Sequence, residues 1–194
     1  MGVCSSQTSA GLPTSSLPSY PDYTGAGILF VGGPVALAGV QKHYRVAKGA
    51  QAILSGFGGA KEATDGDWLD TAWREVIEEL LGVAVVPPAL LRALRTSVPL
   101  PIPPRTNYIS GYVLLCLEFS HLNKALSLCR IYGVTSPLYA KPPMCMSDLV
   151  LLRRPSEDAE IGALALLPVS HRVTIAGEYA GDLASFRVPA PPTN

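Results

Sequence analysis

Charge is scarce in this chain. Only 15% of its 194 residues are Asp, Glu, Lys or Arg, and charge-driven disorder is therefore not expected. The 15 basic and 15 acidic side chains cancel to a formal net charge of zero. A general electrostatic affinity for nucleic-acid backbones is not indicated on that ground; a small nucleotide or a single cap-like end would need a local pocket instead. Cysteine is sparse too. No two of Cys4, Cys116, Cys129 and Cys145 have the short spacing of a zinc knuckle or a redox motif, and free thiols in a reducing compartment are expected. His43, His121 and His171 are far apart in sequence, so a Cys/His zinc site is not expected. Apolar runs are short, which excludes a membrane span. The Ser-, Pro-, Gly- and Thr-rich start has neither the basic region nor the apolar core of a secretory signal.

Apolar residues are plentiful, at 48%, enough for the core of one domain. The 18 glycines and 18 prolines point to many turns. Residues 1–22 read as a flexible tail, 23–188 as one domain and 189–194 as a second flexible tail. The start, Met1-Gly2-Val3-Cys4-Ser5-Ser6, fits N-myristoylation at Gly2, with Ser6 in the favoured position. Cys4 stands where a second acyl chain would attach, and two chains hold a protein stably at a membrane. Two alternatives stay open: a cytoplasmic protein tethered peripherally to a membrane by Gly2 and Cys4, and an accidental match in a flexible tail.

Strands are expected over residues 25–31 and 35–40, joined by the turn Gly32-Gly33-Pro34. A short strand over 52–55 leads into a glycine-rich turn within residues 56–62. A helix is expected from Trp68 to Leu81, with Leu69, Ala72, Trp73, Val76, Ile77 and Leu80 on its buried side. Asp65 or Asp67 would cap its start and Gly82 its end, and Pro87-Pro88 prevents it from resuming. Residues 90–98 read as an edge strand, 99–104 as a loop, and 108–119 as one central strand. A short helix follows at 122–129, a strand or helix end at 148–153, and a segment at 160–167 that leads to Pro168. A last helix is expected at 177–186. Strands on both sides of an internal helix give an α/β fold with a mixed central sheet.

The helix carries the chemistry. At about 100° per residue, Glu79 lies roughly 40° and Glu78 roughly 60° from Glu75, in opposite senses. All three carboxylates therefore share a face opposite the apolar side. Such like charges repel on an isolated helix, and a hard divalent cation, which prefers oxygen ligands, would remove the penalty. A solvated acidic face is the plainer alternative. Arg74, beside Glu75, is placed to hold a carboxylate by a charge-assisted bond.

With Gly58-Gly59, Glu62, Arg74-Glu75-Val76-Ile77-Glu78-Glu79 and Leu80-Leu81-Gly82-Val83, the chain resembles the Nudix hydrolases. Their signature is Gly, five residues, Glu, seven residues, then Arg-Glu-apolar-x-Glu-Glu-x-Gly-apolar. The likeness spans residues 24–187, including Glu160-Ile161 and Leu166-Leu167-Pro168-Val169 as a penultimate segment. The final glycine falls one residue late, the connection from Gly59 to Arg74 is one residue longer, and Phe57 stands where many members have Pro. The Glu before the helix has no counterpart at the same spacing; Asp65 or Asp67 would serve.

The resemblance implies an α/β/α sandwich with a mixed central sheet. It implies hydrolysis of a diphosphate bond in a nucleoside diphosphate linked to another moiety. Glu75, Glu78 and Glu79 would ligate Mg²⁺ or Mn²⁺, with Glu79 the firmest ligand and the Gly58-Gly59 carbonyl region completing the sphere. Arg74 would orient Glu75. A carboxylate takes the proton of the attacking water, and Glu118 at a strand end is the candidate here, ahead of Glu160. Phosphate contacts would come from Lys61, Lys42, Arg45 or Arg105, and a base or nucleoside would stack on Tyr44, Phe57, Tyr108 or Tyr139. Trp68 and Trp73 would pack the helix on the sheet. The substrate would be a small nucleotide-type diphosphate; an RNA cap is compatible but not indicated by charge. Homodimers are common in the family. Two further alternatives stand: an inactive nucleotide-binding or regulatory module on the same fold, suggested by the irregular loop at 60–67, and a membrane-tethered adaptor whose helix is only structural.

Overall fold

Strand β1 (Gly25–Gly32) alternates its side chains between two buried faces. Ala26, Ile28 and Phe30 enter the larger core, whereas Leu29 and Val31 join Ala36, Ala38, Leu114, Cys116 and Leu167 on the other face. The computed structural model describes residues 17–41, 54–156 and 159–168. Gly2, Cys4, Lys42, Tyr44, Arg45 and the helix expected at 177–186 lie outside them. Among the described residues no helix is long and apolar enough to cross a membrane.

The expected hairpin is present: β1 turns through Gly33, at φ 56°, into β2 (Val35–Gln41). A two-residue strand, β3 (Leu54–Ser55), pairs with β2. The segment read as a glycine-rich turn is instead a strand, β4 (Phe57–Ala60), antiparallel to the first half of β1. Gly58 has φ 155° and rests against Gly27, beneath the Tyr112 hydroxyl, a site that no side chain would fit.

Helix α1 (Trp68–Leu81) has its expected bounds. Asp67 caps it, with Oδ1 accepting from the N–H groups of Leu69 at 3.0 Å and Asp70 at 3.2 Å. Gly82 ends it in the left-handed conformation, φ 65°. Trp73 is 1% exposed, its ring 6.3 Å from that of Phe30, and burying a side chain of this kind contributes about 3 kcal/mol.

Further expectations need correction. Residues 90–97 are not an edge strand but belong to helix α2 (Pro88–Ser97), with Val98 extended at its end. Pro88 suits a first helical turn, and Leu90, Ala93 and Leu94 bury one face at three- and four-residue spacing while Arg92 and Arg95 stay at the surface. Residues 108–119 are not one strand. They divide between β5 (Thr106–Ile109) and β6 (Tyr112–Glu118), an antiparallel hairpin. Its turn residues Ser110 and Gly111 both have positive φ, 51° and 85°, as a two-residue hairpin loop requires. Phe119 begins helix α3 (Phe119–Ile131), longer than the 122–129 expected. Helix α4 (Met146–Leu151) and strand β7 (Ile161–Pro168) complete the described elements.

These elements form an α/β fold whose seven strands make one mixed sheet, with path β3-β2-β1-β6-β5. β1 runs parallel to β6; every other pairing is antiparallel. β4 joins along β1 and β7 along β2. Residues 17–20, expected in a flexible tail, pack onto the domain. Leu17 and Tyr20 lie against the core, the Trp68 indole donates to the Pro18 carbonyl at 2.9 Å, and Tyr20 stacks on Tyr108 with ring centroids 4.9 Å apart.

Candidate active site

The backbone of β4 lies against α1 where the carboxylates emerge. Arg74, 6% exposed, organises them. Its Nε donates to Asp65 Oδ1 and its Nη2 to Asp65 Oδ2, both at 3.0 Å. Nη2 also donates to the Ala60 carbonyl at 2.8 Å, which fastens the helix to the end of β4. Nη1 donates to Glu75 Oε1 at 2.9 Å and to Glu78 Oε2 at 3.1 Å, with Glu62 Oε1 at 3.5 Å. A single guanidinium thus holds four carboxylates. Asp65 is further fixed by the Thr71 hydroxyl at 2.8 Å and the Glu62 N–H at 2.9 Å.

Electrostatics divide these groups. Burial alone would raise the pKa of Asp65, but its bonds from Arg74, Glu62 and Thr71 hold it below the ordinary carboxylate value. Burial raises Glu75 and Glu78, and Arg74 only partly offsets that. Burial pushes Glu79 up to about 9; the Gly58 N–H, bonded to Oε2 at 2.9 Å, opposes the shift, and the charges of Glu160, Glu75 and Glu78 add to it. Arg74 would be lowered by burial, yet Asp65 and Glu75 carry it above its usual value.

Glycine makes room for this arrangement. A Cβ at Gly59 would stand 2.6 Å from both carboxylate oxygens of Glu75. Gly59 thus admits Glu75, while its carbonyl lies against Gly25 of β1. Glu79 on Gly58 and Glu75 on Gly59 bring two carboxyls to adjacent positions of β4. Among the described residues, no three His, Cys, Asp or Glu side chains are gathered as a ready-made metal cage. Glu75 and Glu78 are instead turned to Arg74, and Glu79 to Gly58. The donor chemistry nevertheless fits a hard cation: the three glutamates offer only oxygens, and among the described residues the half-buried Glu79 has no ion pair of its own.

The remaining candidates scatter. Glu118 is not at the site. It pairs in register with Val31, while Gly59 pairs with Ala26; five residues along β1 are about 16 Å. There Glu118 caps the start of α3, its N–H donating to His121 Nδ1 at 3.2 Å. Glu160, immediately before β7, is the outlying carboxylate whose charge reaches both Glu75 and Glu79. Lys61 follows β4, is exposed, and has its ammonium 4.3 Å from the Tyr23 ring centroid. Phe57, 1% exposed, and Tyr139, 6% exposed, are core rings rather than stacking surfaces. Tyr108 is 41% exposed but stacked on Tyr20, and it lies on β5, three strands from β4. Trp68 and Trp73 are buried against the sheet side of α1 as expected.

Two features had weak signals or none. Asp65, named only as a cap or as a stand-in for a missing Glu, is the anchor of Arg74. Arg153 had no signal: it bonds main-chain carbonyls, which no side-chain motif records. No protein-family model matches the sequence, and none of the curated proteins matches it.

Proposed function

We propose that the chain is a Nudix-type pyrophosphohydrolase, cleaving a diphosphate in which a nucleoside diphosphate is linked to another moiety. The observation that carries this reading is the Arg74 network. A buried arginine, anchored by Asp65 and the Ala60 carbonyl, presents the half-buried Glu75 and Glu78 beside a third half-buried carboxyl, Glu79. An acidic face that was merely solvated would have no need of a buried arginine to order it.

Glu75, Glu78 and Glu79 are the residues that would hold Mg²⁺ or Mn²⁺. Such an ion supplies a water of lowered pKa and offsets charge on the phosphate oxygens. Arg74 keeps Asp65 and Ala60 when Nη1 yields Glu75 and Glu78, so the helix stays seated while the carboxylates turn. The Gly58 N–H orients Glu79. In the reaction a water oxygen bonds to phosphorus, the bridging P–O bond breaks, and a carboxylate accepts the proton. Glu160, whose charge reaches Glu75 and Glu79, and the helix glutamates are the candidates for that role, and Glu118 is not. Lys61, exposed at the end of β4, suits a phosphate oxygen of the substrate.

The test is incubation with Mg²⁺ or Mn²⁺ and a panel of nucleotide sugars, dinucleoside polyphosphates, nucleoside triphosphates and capped RNA, beside Glu79→Gln. Phosphate-containing products from the wild type, falling at least about a hundredfold in the variant, are expected. Nucleotide bound without turnover across the panel would favour a regulatory module.

A further inference from the structure

The C-terminal end of α1 offers four carbonyls without helical partners to continue the ladder, and each is taken. The Glu78 carbonyl accepts from the Gly82 N–H at 2.7 Å, and the Leu81 carbonyl accepts from the Ser136 hydroxyl. Arg153 takes the other two: Nη2 donates to the Glu79 carbonyl at 3.1 Å and Nη1 to the Leu80 carbonyl at 2.7 Å. Ser136 is an ordinary end cap. Arg153 does more, because Nη2 also donates to the Ile161 carbonyl at 2.6 Å. One nitrogen therefore joins the backbone of Glu79 to the first residue of β7, next to Glu160. The guanidinium is steadied by the Tyr139 hydroxyl, 3.2 Å from Nη1, which itself donates to the Leu149 carbonyl of α4 at 3.1 Å. Its buried Nε has no hydrogen-bond partner among the described residues, so the geometry favours the carbonyls over full satisfaction of the arginine.

We propose that Arg153 is a positioning residue of the site: it locks the last turn of α1, which carries Glu78 and Glu79, to the start of β7, and so fixes how far Glu160 stands from Glu79. The inference rests on the reading of α1 as a metal-binding helix. Among the described residues Arg153 bonds main-chain carbonyls and the Tyr139 hydroxyl, not a carboxylate, so it acts on the backbone that carries the acidic groups. A purely structural cap would stabilise the fold and leave metal affinity alone. A positioning residue changes that affinity, as outer contacts of metal sites do, by about tenfold or more.

The experiment uses the full chain and Mn²⁺ alone as probe, with free Mn²⁺ followed by electron paramagnetic resonance well below the melting temperature. Arg153→Lys and Arg153→Met are compared with Ser136→Ala, which removes a bond at the same helix end without touching β7. The expected result is Mn²⁺ binding weakened about tenfold in both Arg153 variants and unchanged within roughly twofold in Ser136→Ala. Glu160→Gln should also weaken binding, and should weaken it less when added to Arg153→Met, because the charge it removes is then no longer held near Glu79. Should Arg153→Met fail to fold, Arg153→Lys, which keeps the charge and one arm of the clamp, carries the comparison. Folded Arg153 variants that bind Mn²⁺ like the wild type, with only the melting temperature lowered, would overturn the positioning role and leave the proposed function standing. A wild-type chain that binds no Mn²⁺ overturns both.

Discussion

Arg74 and Asp65 form the pair on which the candidate site is built. Their side chains are 7% and 2% exposed, so neither has water as an alternative partner. Removing one partner of such a pair strands the other, at a cost of about 3 kcal/mol or more. Asp65→Ala should therefore lower the unfolding free energy by about 3 kcal/mol in urea titrations; a loss below about 0.5 kcal/mol, the range of ordinary surface substitutions, would deny Asp65 its anchoring role. Asp65 has a depressed pKa. Its stabilising contribution is complete above its unfolded value and disappears as pH falls through the lower folded one. Sequence spacing disclosed the acidic face of the helix, because three glutamates and an arginine are local in sequence. It did not disclose which aspartate holds the arginine, since Asp65 and Asp67 are both plausible caps until the backbone is placed.

Asp67 is the element-scale counterpart. It caps α1 and also meets Arg95 of α2, with Oδ2 2.5 Å from Nη2, while Asp70 Oδ1 accepts from Nη1 at 3.2 Å. Asp67→Ala should cost about 1 kcal/mol for the cap, and the partly exposed ion pair adds less than that. Asp67→Asn, which can still cap, should restore most of the loss in thermal unfolding; equal destabilisation by both variants would assign the effect to the ion pair instead. Elements whose signals are local in sequence are the legible ones. Helix α1 was legible to its ends because period, cap and terminating glycine all agree. Helix α2 was read as a strand because Leu90 to Val98 is short and apolar, and the deciding fact is burial of Leu90, Ala93 and Leu94 on one face. The β5–β6 hairpin was hidden because Ser110-Gly111 is a brief interruption between apolar runs. Strand β4 was obscured by its own glycines, which here flatten a strand against β1 and admit Glu75 rather than make a turn.

For the molecule as a whole, the cost of confining acidic groups at α1 should register as a pH dependence of stability. Glu79 keeps its proton in the folded, metal-free chain up to about pH 9, whereas an unfolded Glu loses it near pH 4.3, about its unperturbed value. Between those values the folded state binds more protons than the unfolded one, so metal-free stability should fall as pH rises. Glu79→Gln should flatten that slope, and Mn²⁺, which competes with the proton, should stabilise the wild type more at high pH than at low. Melting curves from pH 5 to 9 with and without Mn²⁺ measure this; a wild-type slope no steeper than that of Glu79→Gln would remove Glu79 as its source.

If the α1 carboxylates hold one divalent ion, the anomalous scattering of manganese will locate it. A crystal soaked in Mn²⁺ should show a single anomalous peak about 2.2 Å from oxygens of Glu75, Glu78 and Glu79, with Arg74 still bonded to Asp65. An empty difference map, with Glu75 and Glu78 still on Arg74 and Glu79 still on Gly58, would contradict such binding.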